Sequence, residues 1–221
     1  MDLRRFTFVL AFVVLGPVAA FAQAKFTVDP DAGNNTFTAV FDAAVGERIT
    51  AVSSSVGCTL SVDEAKLAGS ASCSVPLTSI RVDNDDTKSD HFQQWATNKK
   101  VDPKDCAFTL DVPNLKLTGP VEPMKPVPFA TEGTFKICGR PRDDKGAEKI
   151  AGTIIYLPPG SYKAARIIRI RGKVEGFNRD RYRVGPRWTE GWLARVQQLA
   201  PVVAVDGTIE VNLFATGADE P

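Results

Sequence analysis

Histidine is nearly missing from this 221-residue chain: His91 is the only one. A serine or cysteine nucleophile needs a base beside it, and no G-x-S-x-G elbow accompanies this histidine, so hydrolytic triads have little to stand on. There are four cysteines but no C-x-x-C pair, and one histidine cannot complete a familiar Cys/His zinc site. An excess of one charge is lacking too. Beyond residue 22 the chain carries 25 basic and 25 acidic residues, whereas nucleic-acid binders keep a basic excess to displace counterions. Long apolar runs are absent: the longest, Phe6 to Leu15, falls short of the ~20 residues that a bilayer-crossing helix needs. No internal repeat or low-complexity tract breaks the chain. These absences make an enzyme the least supported class and imply no cofactor, no metal and no nucleic-acid partner.

The first residues read as an export signal. Arg4 and Arg5 precede the apolar run, Gly16-Pro17 interrupts it, and Ala20-Phe21-Ala22 supplies small residues at the cleavage spacing. The residue immediately after that point is Gln23 rather than cysteine, so a lipoprotein anchor is not expected, and residues 23–221 are expected to form one domain of a periplasmic or secreted protein without a permanent membrane anchor. A homodimer is compatible with this reading.

The cysteines fit an oxidising compartment. The midpoint between Cys58 and Cys73 falls in the Asp63-Glu64-Ala65-Lys66 turn, and that between Cys106 and Cys138 falls in the Pro120 to Pro128 loop. Each pair therefore faces across a hairpin, within disulfide reach for directly opposed antiparallel residues. The expected bridges are Cys58–Cys73 and Cys106–Cys138.

Eight strand-like segments follow one another: residues 35–42, 49–62, 66–82, 107–117, 129–138, 149–157, 165–177 and 207–215. Strands this long must curl, and closing the sheet removes its edges. The fold class expected is all-β, an antiparallel barrel of about eight strands with one or two short capping helices. The stretch Val75 to Lys99 runs a strand, with period two through Val82, into an acidic turn and then a helix from Thr87, with Thr87 or Ser89 as cap and Phe92, Trp95 and Ala96 on its apolar face. Such a helix, bearing bulky aromatics, suits the open end of a barrel. A second helix is expected over Thr189 to Leu199, on Trp192, Leu193, Val196 and Leu199. In the seventh strand Ile168, Ile170 and Gly172 share the apolar face. Asp83-Asn84-Asp85-Asp86 lacks the spacing and glycine of an EF-hand, so it reads as a solvated turn.

Four segments, in order, resemble the YceI family of exported lipocalin-like barrel proteins. An R-D-x-H-[LF] helix entry is matched by Lys88-Ser89-Asp90-His91-Phe92, and a G-x-[LF]-x-[IL]-x-G strand by Gly133 to Gly139. An N-R-x-D-[FY]-G element is matched in part by Asn178-Arg179-Asp180-Arg181-Tyr182, and the closing strand by Asp206 to Val211. Ser89, Arg181 and Arg183 depart from the pattern. The resemblance implies a lipocalin-like barrel holding a long polyisoprenoid or other amphiphilic lipid in an apolar cavity. Candidate lining residues are Phe92, Trp95, Phe108, Phe135 and Tyr182, each of which could equally be core. His91 and Arg179 would face a headgroup, or else His91 braces its helix and Arg179 pairs with Asp180. The alternative function is an envelope structural or stress-response protein with a packed barrel that acts through protein partners.

Overall fold

The computed structural model describes residues 24–43, 46–63, 66–98, 100–158, 166–185 and 203–217. The expected signal segment and the expected helix at Thr189 to Leu199 lie outside the described residues. Twelve strands occur among the described residues: β1 (Ala24–Val28), β2 (Thr36–Ala43), β3 (Arg48–Ser53), β4 (Gly57–Asp63), β5 (Ala68–Pro76), β6 (Arg81–Val82), β7 (Ala107–Lys116), β8 (Pro126–Ile137), β9 (Arg140–Pro141), β10 (Glu148–Leu157), β11 (Arg166–Asn178) and β12 (Val203–Gly217). One α-helix, α1 (Asp86–Thr97), is present among the described residues.

The hydrogen-bonded order closes into a ring, because β12 pairs with β11 along its length and with both β1 and β2 on its other edge. β1 and β2 are thus two halves of one broken strand. β4 and β3 pair with those halves in turn, and β5 and β6 with β4 and β3. Counting each broken strand once, and leaving out the two-residue β9 that pairs only with β8 off this ring, gives eight antiparallel barrel strands; each holds one of the eight segments read from the sequence, but β1 lies outside all of them and went unread.

The breaks lie beside one another and are stitched by side chains. Asn35, buried between β1 and β2, accepts a hydrogen bond from the Phe214 amide at 2.7 Å and donates to the Asp29 carbonyl at 2.9 Å, replacing the missing ladder. Between the next two, the Ser53 and Ser79 hydroxyls meet at 2.7 Å. The continuous strand expected from Val75 to Val82 is corrected here. Pro76 has no amide to continue the ladder, and Leu77–Ser79 forms a 3-10 turn that buries Leu77.

Inward residues alternate along each strand, as in Val127, Phe129, Gly133, Phe135 and Ile137 of β8. On β11, Ile168, Ile170, Gly172 and Val174 face inward, but the alternation then shifts at a bulge between Glu175 and Phe177. Gly176 sits in the bulge at φ +66°, a conformation that glycine adopts without cost, and Phe177 therefore turns into the core. Both expected disulfides are present. Cys58 and Cys73 are direct cross-strand partners with Cα atoms 4.1 Å apart. Cys106, just before β7, joins Cys138, just after β8, at 4.5 Å. This second pair is one residue out of the β7–β8 register, which matches Phe108 to Ile137, and Cys138 reaches its partner from a left-handed turn at φ +49°.

Candidate functional site

The acidic turn before α1 is a set of braces, each carboxylate with its own task. Asp83 accepts hydrogen bonds from the Thr50 amide at 2.8 Å and from Lys88 Nζ at 2.7 Å, which ties β3 to the helix. Burial alone would push its pKa up, but these hydrogen bonds outweigh that and hold it below the ordinary value. Asp85 caps the helix by accepting from the Lys88 amide at 2.9 Å, and Asp86 pairs with Arg81. The expected cap at Thr87 or Ser89 is therefore corrected to Asp85. An acceptor one turn inside a helix cannot reach the unpaired first-turn amides as a residue at its entry can. Ser89 is instead buried, accepting from the Val82 amide at 3.0 Å and donating to the Asp85 carbonyl at 2.6 Å. Asn98 ends the helix in a left-handed conformation.

Held this way, α1 lays Phe92 and Trp95 against the core at one end of the barrel. A cavity of about 270 Å³ lies between the helix and the barrel wall. Ala39 and Phe41 of β2, Ile49 and Ala51 of β3, Val82, Phe177 and Ile209 form apolar wall, and α1 contributes Lys88, His91, Phe92 and Trp95. The small side chains Ala39 and Ala51 leave the space that the rings then frame. The braces of the acidic turn thus serve one purpose, to hold the helix in place as a lid.

Of the sequence candidates, His91, Phe92, Trp95, Phe108 and Arg179 come together around this cavity, with His91 exposed. Phe135 and Tyr182 do not line it. They stand behind Phe108 and Phe177 in a ring cluster: Phe92 to Phe108, Phe108 to Phe135 and Phe135 to Phe177 have centroids 5.9, 5.9 and 5.1 Å apart, and Tyr182 stacks on Phe177 at 5.0 Å. This cluster fills the middle of the barrel.

Arg179 is largely buried, and its donors are in use. It donates to the carbonyls of Ala204, Val203 and Val184 at 3.0, 2.9 and 2.8 Å and pairs with Asp180 at 3.2 Å. It thereby clamps the turn after β11 to the start of β12. Burial pulls its pKa down, yet an arginine so placed stays charged.

A buried polar group escaped the sequence reading. The Tyr182 hydroxyl donates to Glu148 Oε1 at 2.6 Å, and Arg142 Nη1 donates to the same oxygen at 3.2 Å. Glu148 is 5 % exposed. Its signal was the alternation of β10, where Glu148, Ile150 and Ile154 share the inward face.

No family model matches the chain, and no curated protein matches it in sequence. Among solved structures it is similar to a polyisoprenoid-binding domain from Saccharophagus degradans implicated in plant cell wall breakdown, with a TM-score of 0.56 and 14 % identity over 89 % of this chain and all of that one. At this identity the likeness is one of fold. The described chain is thus the antiparallel lipocalin-like barrel that the YceI resemblance implies, eight strands closed on themselves with a helix across one end.

Proposed function

We propose that the protein is an exported binding protein, one domain over residues 23–221, that holds the apolar chain of an isoprenoid-type lipid in the cavity under α1. The observation that carries this is the cavity itself, walled by aliphatic and aromatic side chains and roofed by Phe92 and Trp95. Burying a chain there gains ~0.8 kcal/mol per methylene, offset in part by ordering the chain. At ~30 Å³ per water-sized group, 270 Å³ holds about nine such groups, so a long polyisoprenoid would fill the cavity with its terminal units. Phe92, Trp95 and Phe108 contact the chain, His91 and Arg179 stand toward its head, and Phe135 and Tyr182 support the wall from behind. The two disulfides support export, since such bonds persist in oxidising compartments.

The ring cluster that packs the barrel's middle favours a second reading, a scaffold that acts through protein partners. One variant separates the two. Ala51→Phe places a ring in the cavity, and farnesol binding by calorimetry should fall at least about tenfold while the melting temperature stays near that of the parent. Unchanged farnesol binding in a folded Ala51→Phe protein, or none in the parent, sinks the lipid reading.

A further inference from the structure

The outer wall of the barrel, the sheet face turned away from the cavity, carries a trough of about 550 Å³ across β2, β12, β11 and β10. It runs on into a second hollow of about 970 Å³ that reaches β8 and β7, the two sharing Ala151 and Lys173. Gly152 and Gly172 form part of its floor. They oppose each other in the β10–β11 ladder, and a Cβ at Gly152 would lie 2.6 Å from the Phe129 ring, so bare backbone is all that fits there. Arg169 and Arg171 line the trough from one face of β11, two residues and so ~6.7 Å apart along the strand. Arg169 is fixed from behind. Its Nε donates to Asn212 Oδ1 at 2.9 Å, Asn212 is anchored in turn on the Asn34 carbonyl at 2.8 Å, and the guanidinium lies over the Phe214 ring at 5.1 Å. This uses one of its five N–H donors. Burial, and after it the nearby Arg171, pull its pKa down, yet it stays charged. Arg171 is exposed and makes no hydrogen bond or ion pair among the described residues, whereas Lys173 beside it engages Glu175 at 2.9 Å and Glu210 at 3.6 Å. Two like charges held this close repel, and an anion between them reverses that cost.

We propose that this trough binds an acidic polysaccharide, an extended chain of uronic acid units whose carboxylates meet Arg169 and Arg171 and whose hydroxyls meet Thr36, Thr38 and Thr153. The two hollows together cross neighbouring strands from β2 to β7, a span of ~24 Å at the usual strand spacing, which suits an extended chain. A flat bilayer does not follow a concave wall. Hexamannuronate and its neutral counterpart mannohexaose share one backbone and differ only in carrying a carboxylate or a hydroxymethyl group on each sugar, so calorimetric titration of the protein with both isolates the charge. The acid should bind at least about tenfold more tightly at low ionic strength, and added salt should shrink that advantage. Arg171→Gln, a change at an exposed side chain, should cut it to about threefold or less with the melting temperature of the parent. Equal affinity for the two sugars, no binding of the acid, or an undiminished advantage in folded Arg171→Gln overturns the proposal. Hexaglutamate binding more tightly than hexamannuronate overturns it in favour of an acidic polypeptide.

Discussion

At the scale of single residues, the side chains that matter most are those that satisfy a buried partner. Glu148 is buried with two donors, Tyr182 and Arg142, and removing one of them leaves a carboxylate short of the hydrogen bonds that offset its desolvation. Burial, reinforced by the bond to Glu148, raises the Tyr182 phenol far above its usual range. The folded protein therefore keeps a proton that the unfolded chain loses above pH ~10. With more protons bound in the folded state, stability contributed by Tyr182 is full below that pH and declines as pH rises past it. Tyr182→Phe should cost about 1–3 kcal/mol at neutral pH and flatten part of the alkaline decline. Thermal melts of parent and variant from neutral to strongly alkaline pH check this, and equal alkaline slopes would count against it.

At the scale of elements, alternation explains the strands well but says nothing of where it resets. Ile168, Ile170 and Gly172 could be assigned to the apolar face from the sequence, and they face inward. Phe177, odd-numbered, belongs to the opposite face until the bulge at Gly176 turns it. Gly176→Val should therefore destabilise the fold by roughly 1–3 kcal/mol, since a β-branched side chain is strained at this positive φ, and it should weaken the packing of Phe177 on Tyr182. Chemical denaturation measures the first, and near-ultraviolet circular dichroism the second. A melt and spectrum equal to the parent's would mean that the bulge is not what holds Phe177. The helix entry shows the same division. A cap is expected at Thr87 or Ser89 from the residue types, but Asp83, Asp85 and Asp86 stand just before them, and only the turn geometry selects Asp85.

At the scale of the whole molecule, the barrel is closed by pairings between residues far apart in sequence, and the two disulfides hold hairpins within it. In the chain-entropy account, loops of 15 and 32 residues contribute roughly 3 and 4 kcal/mol. Replacing Cys106 and Cys138 by serine should therefore cost more than replacing Cys58 and Cys73, and it should also loosen α1, whose Ala96 carbonyl receives Arg140 beside Cys138. Denaturant midpoints rank the pairs, and amide exchange at α1 reads the second effect. A larger loss at Cys58 and Cys73 would show that native-state packing outweighs loop entropy here.

By itself the sequence determined the eight strand segments, the class of fold, the pairing of the cysteines and the presence of an aromatic helix near Trp95. Each of these follows from local periodicity or from symmetry about a turn, which neighbouring residues encode. The tertiary structure decided the rest: that three strands break side by side, that Asn35 and Ser53 mend the breaks, that Phe135 and Tyr182 lie behind the cavity wall rather than on it, and that Glu148 is buried between Arg142 and Tyr182. These depend on which strands meet when the sheet closes, and burial of a polar or aromatic side chain is a property of that closure rather than of its own neighbours in the chain.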